Sequence, residues 1–147
     1  MKNQVLNVEQ MQHLMELGVD TSTASCAYYA FYESEPNYYE LRIRDSALEI
    51  DTQTIPFIPT LTLQDMLEMM PYEIKDYFRS NGKDFKSFAR IKIITYGNGK
   101  WQIIYRECIM YLYIFESSET DLLTCTYETL CWCAENGYLK GGEIENK

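Results

Sequence analysis

The side chains best suited to catalysis or metal binding are the cysteines and the single histidine. A thiolate beside an imidazole is a nucleophile, and closely spaced Cys and His residues bind zinc. His13 is distant in sequence from every cysteine, and Cys131 and Cys133 lie two apart on a predicted helix, which separates their sulfurs. We therefore predict that the cysteines pack as small hydrophobic residues and that no metal or cofactor is bound. The five are Cys26, Cys108, Cys125, Cys131 and Cys133.

A carboxylate pair is the other catalytic candidate. Glu49 and Asp51 lie on one face of a predicted strand, about 7 Å apart, where two carboxylates can bind a cation or transfer protons. The alternation of charged and apolar residues already places both on the polar side of a hairpin. The sequence has no Gly-rich phosphate loop, G-x-S-x-G motif or H-E-x-x-H motif, so it does not support an enzyme.

Segment 75–106 indicates binding of phosphates and bases. It has eight basic and two acidic residues, whereas residues 1–74 and 107–147 have net charges of −9 and −6. Aromatic residues lie among the basic ones, and bases stack on such rings beside a positive groove. A sheet with an aromatic core and surface lysines has the same pattern, so this nucleic-acid face is an alternative that is not favoured. Its residues are Lys83, Lys86, Arg90, Lys92, Lys100 and Arg106.

Tyrosine is the one residue type in excess, with thirteen copies. Tyrosine is common at recognition surfaces because it offers a large amphipathic area with few rotatable bonds. Five of the tyrosines flank a polar loop at 33–37 and predict a surface for a protein partner. Aromatic pairs across a hairpin explain them without any partner. These tyrosines are Tyr28, Tyr29, Tyr32, Tyr38 and Tyr39.

The overall composition predicts one soluble domain over residues 1–147. The chain is 46% hydrophobic and 24% charged, as in average globular proteins. Its longest apolar run, 108–115, has eight residues, far from the about 20 needed to cross a bilayer. Because the N-terminus lacks an export signal and the cysteines are odd in number, we expect a cytoplasmic protein without a membrane. The net charge of −9 opposes nucleic-acid binding unless basic residues share one patch.

Three helices are predicted from caps and apolar spacing. The first spans roughly 8–17 after a capping box at Asn7, the second starts at Thr62, and the third starts near Ser118 and ends at 136–137. The apolar stripe of the third helix is expected to contact strand 109–115, with two glutamates toward solvent. That stripe is Leu123, Tyr127, Leu130 and Ala134, and the glutamates are Glu128 and Glu135.

The strands are predicted from alternation of apolar and polar residues. We expect a strand at 26–33, although Ala24, Ala27 and Ala30 would also allow a helix there. We also expect a hairpin at 39–51 that ends before the prolines at 56 and 59, and a second hairpin at 89–106 around Gly97–Gly99. The run 109–115 is apolar on both faces, which predicts a central strand or one whose second face is covered. Together the elements predict an α+β fold, with antiparallel hairpins, about three helices on the sheet and a frayed tail at 141–147.

Four further segments are EQMQHLMELGVDTSTAS, PTLTLQDMLEMMP, GNGKWQIIY and ETLCWCAENGYL. Together they resemble a group of small proteins of unknown function from gut Bacteroidales, present also in their phages and mobile elements. They are helix caps and core patterns, so the resemblance implies a shared fold and a phage or mobile-element setting but no activity.

The sequence thus favours a non-enzymatic binding or regulatory accessory protein with an unidentified protein partner, and it leaves self-association open. The alternatives are a nucleic-acid-binding protein and an inhibitor whose acidic segments imitate DNA.

Overall fold

The computed structural model describes residues 4–30, 39–44 and 56–139. The chain divides into two compact units, residues 1–67 and 68–147.

The first unit begins with helix α1 (Val8–Glu16). The Asn7 side chain accepts from the backbone N–H of Gln10, and the Gln10 side chain accepts from the backbone N–H of Asn7, which forms the predicted capping box. Gly18, at a φ of 84°, follows the helix in the left-handed conformation. Met11 and Leu14 are fully buried, so the predicted helix and its buried face are confirmed for these residues.

Three short antiparallel strands form the sheet of this unit. They are β1 (Cys26–Tyr29), β2 (Glu40–Ile43) and β3 (Phe57–Thr60), in the order β2-β1-β3. The strand predicted at 26–33 is confirmed over Cys26–Tyr29, and residues 45–51 of the predicted hairpin lie outside the described part of the chain.

The prediction that prolines end this sheet segment was wrong, because Pro59 lies within β3, opposite Ala27. As β3 is an edge strand, a residue without an N–H can occupy it without removing a bond from the sheet interior.

Helix α2 (Leu63–Met69) follows β3. Thr62 and Asp65 exchange side-chain-to-backbone hydrogen bonds, as predicted for its N-cap. Asp65 also accepts from the backbone N–H and the hydroxyl of Ser25, at 2.9 and 2.6 Å, so the cap ties the helix to the start of β1.

The second unit contains a four-stranded antiparallel sheet in chain order. The strands are β4 (Glu73–Ser80), β5 (Lys83–Thr95), β6 (Trp101–Glu107) and β7 (Tyr113–Glu119). The predicted hairpin around 97–99 is confirmed, whereas β4 was not predicted. It turns into β5 through Asn81 and Gly82, both at positive φ (53° and 77°), as in a two-residue type I′ turn.

Strand β5 is the longest, and its neighbours are offset along it. β4 pairs with residues 83–90 and β6 with residues 89–95. Ala89 and Arg90 are therefore the two β5 residues that pair with both neighbours.

Helix α3 (Leu122–Glu135) packs on β6 and β7 and covers one face of this sheet, here called the inner face. The core between this face and the helix consists of Cys133 of α3 and of Ile74, Phe78, Ala89 and Tyr105 of the sheet. The Trp132 ring stacks on Phe115 with ring centroids 4.8 Å apart.

Several details predicted for the third helix were wrong. β7 continues to Glu119, so the helix starts at Leu122, with Asp121 as its N-cap, rather than near Ser118. Of the predicted stripe only Leu130 is fully buried, and the buried face is otherwise built from Cys and Thr. Glu128 does not point freely to solvent, since its carboxylate accepts a 2.5 Å hydrogen bond from the Ser117 hydroxyl.

The predicted central strand 109–115 was also wrong. Residues 108–112 form a loop, and β7 is an edge strand that starts at Tyr113. Ile109, Met110 and Tyr111 are exposed.

In the described part of the chain, three helices and two antiparallel sheets make up an α+β fold, which confirms the predicted class. A single domain over 1–147 stays a prediction.

Candidate functional site

The outer face of the four-stranded sheet, opposite α3, carries a concentration of basic residues. Because side chains alternate along a strand and paired residues share a face, the register assigns each one. One row of paired residues crosses all four strands and consists of Glu73, Arg90, Arg106 and Tyr113. Lys75 pairs with Phe88 in the next row, followed by Tyr77 with Lys86.

Four of the six basic residues predicted from the sequence share this face, namely Lys86, Arg90, Lys92 and Arg106. Lys83 is at the turn end of β5, where it pairs with Ser80, and the alternation of side chains places it on the opposite side from this face. Lys100 is in the loop before β6. Lys75 and Arg79 of β4 join the face, although the sequence prediction did not include them.

Aromatic rings lie among these charges. The Arg90 guanidinium carbon lies 4.9 Å from the centroid of the Phe88 ring, and that of Arg106 lies 5.4 Å from the centroid of Tyr111. Tyr77 and Tyr111 are 67% and 66% exposed, and Tyr113 is 53% exposed. We call this set the basic-aromatic face; it consists of Lys75, Tyr77, Arg79, Lys86, Phe88, Arg90, Lys92, Arg106, Tyr111 and Tyr113.

The surrounding carboxylates neutralise only part of the positive charge. Glu73 pairs with Arg90 at 3.2 Å, and its hydrogen bond raises the pKa of that guanidinium. Asp84 pairs with Arg79 at 3.0 Å. Within the described residues, the other basic groups of the face, Lys75, Lys86, Lys92 and Arg106, have no ion pair.

A buried carboxylate shapes the loop at one end of the face. Glu107 is fully buried, and its carboxylate accepts from the Ser87 hydroxyl at 2.6 Å and from the backbone N–H groups of Ile109 and Met110. Burial raises its pKa, but these hydrogen bonds lower the pKa more, so the net shift is downward and the group is ionised near neutral pH. Glu107 therefore holds the loop 108–112 in one conformation.

The tyrosine surface predicted for a protein partner is divided by the structure. Tyr29 has no exposed surface and packs near Phe57, with ring centroids 5.6 Å apart. Tyr28 is half-buried and donates to the carbonyl of Leu6 at 2.8 Å, and Tyr39 is half-buried. Tyr32 and Tyr38 lie outside the described residues, as do Glu49 and Asp51.

The cysteines lie in packed surroundings. Cys26, Cys125, Cys131 and Cys133 are buried, which confirms the predicted packing role for these four, and Cys108 is partly exposed. Burial raises the pKa of all four buried thiols, that of Cys133 to about 12, so they are protonated at neutral pH. Among the residues that the structure describes, no three His, Cys, Asp or Glu side chains are arranged to hold a metal ion.

The rings at the loop end of the face were missed by the sequence reasoning, which placed Tyr111 and Tyr113 in a buried strand. For β4, a usable signal was present at Asn81-Gly82. That dipeptide favours a hairpin, and a hairpin there places alternate residues of 73–90 on one face.

No protein-family model, curated protein or solved structure matches this chain. The described residues contain no helix of the length and apolarity that a membrane crossing requires.

Proposed function

We propose that the chain is a non-enzymatic binding protein whose basic-aromatic face binds nucleic acid. The observation that carries the proposal is that residues scattered over 75–113 in the sequence meet on one side of one sheet. A net charge of −9 opposes such a function when basic residues are dispersed over the surface, but here several of them share one sheet face.

The charge pattern supports a polyanionic ligand. Lys75, Lys86 and Lys92 are exposed without an ion pair in the described part of the chain, and Arg106 is held over a ring. Each basic group that contacts a phosphate releases a counterion, so four contacts predict that log K falls with log salt concentration with a slope of about −2.8 to −3.6. Affinity should then fall by about 50- to 150-fold between 50 and 200 mM salt.

A protein partner is the second candidate. Ile109 and Met110 are 58% and 49% exposed at the tip of a loop that Glu107 fixes, and exposed apolar groups of this kind occur at protein interfaces. We propose for either function a phage or mobile-element setting, which the resemblance of the four sequence segments supports, and a cytoplasmic location, which the odd number of cysteines supports.

Fluorescence anisotropy with labelled DNA and RNA oligonucleotides in 50 mM salt tests the nucleic-acid function. Lys86→Glu combined with Lys92→Glu should weaken binding by more than tenfold, because both residues lie on the face. The matched control, Lys83→Glu with Lys100→Glu, changes the net charge equally at positions off the face. Absence of binding in low salt, or equal losses in both double variants, would overturn the proposal.

A further inference from the structure

We infer that the basic-aromatic face accepts single-stranded rather than double-stranded nucleic acid, with bases stacking on Tyr111, Tyr113 and Tyr77. The inference rests on the proposed function and specifies its ligand.

The first observation is that hydrogen bonds hold the loop that carries Tyr111. Tyr111 has a φ of 59°, a left-handed conformation that is unfavourable for an aromatic residue. The Glu107 carboxylate accepts from two backbone N–H groups of the loop, and the Cys108 N–H donates to the Phe88 carbonyl at 3.0 Å. A strained residue held by its surroundings often marks a functional position. Because the backbone at Tyr111 is already ordered, less conformational entropy is lost when a base stacks on its ring.

The second observation is the pairing of rings with basic groups. Arg106 lies over the Tyr111 ring, and Tyr113 is opposite Arg106 in the register. The N–H groups of a guanidinium point outward in its own plane, so an arginine stacked on a ring can still donate to a phosphate. Tyr77 likewise lies opposite Lys86. Each exposed ring therefore has a phosphate-binding group beside it.

This arrangement discriminates against a duplex. Bases in a duplex stack on each other and present only their edges in the grooves, so rings on a sheet face cannot stack on them. An unpaired base has an accessible face and stacks on an aromatic ring whatever its identity. Loss of one such ring weakens single-strand binding by about 5- to 150-fold.

The test compares a fluorescein-labelled 20-nucleotide oligo(dT) with a labelled 20-base-pair duplex by anisotropy. We expect the single strand to bind at least tenfold more tightly. Tyr111→Ala and Tyr113→Ala should each weaken oligo(dT) binding at least fivefold, with little change in duplex binding or in the salt slope. Tyr111→Phe should retain wild-type affinity because it keeps the ring.

Tyr127→Ala is the control. Tyr127 is a half-buried tyrosine of α3, the helix that covers the inner face of the sheet. Thermal unfolding measured by tryptophan fluorescence verifies that each variant is folded. Equal affinity for both probes, or a Tyr111→Ala loss that Tyr127→Ala matches, would overturn the inference while the nucleic-acid function stands. Absence of binding to both probes would remove the function itself.

Discussion

Replacement of Glu107 by Gln tests whether one buried carboxylate fixes the loop 108–112. Oε2 accepts from the Ser87 hydroxyl and the Ile109 N–H, and Oε1 accepts from the Met110 N–H at 2.6 Å. Glutamine has one acceptor oxygen, so its best orientation keeps the first two bonds and leaves the Met110 N–H facing an NH2 group. A hydrogen bond to a charged group contributes about 1.5 to 3 kcal/mol, and we expect the free energy of unfolding to fall by that amount.

Urea denaturation followed by tryptophan fluorescence measures this change. The chain has two tryptophans, Trp101 in β6 and Trp132 in α3, so the signal reports the unit that contains Glu107. Glu135→Gln, an exposed change on α3, should alter stability by no more than about 0.5 kcal/mol. If Glu107→Gln were as mild as this control, the carboxylate would not be what fixes the loop.

The stability difference between the wild type and Glu107→Gln should depend on pH in a defined way. The hydrogen bonds hold the pKa of Glu107 below the ordinary value of 4.5 in the folded state. A group of this kind stabilises the fold above its unfolded-state pKa, and the stabilisation is lost as the pH falls through the folded-state pKa. The stability difference between wild type and Glu107→Gln should therefore be constant from pH 6 to 8 and narrow below 4.5. A difference that grew in acid would contradict this assignment of charge.

Three further predictions concern the second unit. Leu130 is fully buried, so Leu130→Ala should lower the free energy of unfolding by about 2 to 5 kcal/mol, against at most about 0.5 for Glu135→Ala; an equally small effect would show that α3 is not core. Gly82 has a φ of 77° and nothing within 4 Å of an added Cβ, so Gly82→Ala should cost about 1 to 2 kcal/mol through backbone strain alone, as measured by urea denaturation. Iodoacetamide at pH 8 should label Cys108 before Cys133, whose thiol pKa is raised to about 12, and peptide mass spectrometry that found Cys133 labelled first would refute its buried, protonated state.

The parts of the fold that the sequence predicted well depend on local signals. The capping box of α1, the Thr62–Asp65 cap of α2 and the hairpin around 97–99 each involve residues within a few positions of one another. The hydrogen bonds that define these features can be inferred without knowledge of the rest of the fold.

The wrong predictions involve partners distant in sequence. Apolar character alone cannot distinguish a buried strand from the exposed loop 108–112, because that loop depends on the bond from Ser87 to Glu107, twenty residues apart. Pro59 is acceptable in β3 only because the sheet order makes β3 an edge.

The candidate site was predicted in part for the same reason. Charge along the sequence identified Lys86, Arg90, Lys92 and Arg106, but not which side of a strand each occupies. That requires the register of β4 to β7, which also brings in Lys75, Tyr111 and Tyr113.

The order of the four-stranded sheet has a consequence for its synthesis. Every strand pairs with the strand next to it in the chain, across loops of two, five and five residues. As the chain leaves the ribosome, each new strand therefore meets its partner already present, and no strand waits for a distant segment. Hairpins close in microseconds, whereas a ribosome adds only about 5 to 20 residues per second. The sheet can thus form in register during translation, and α3, which follows β7 in the chain, then covers its apolar inner face.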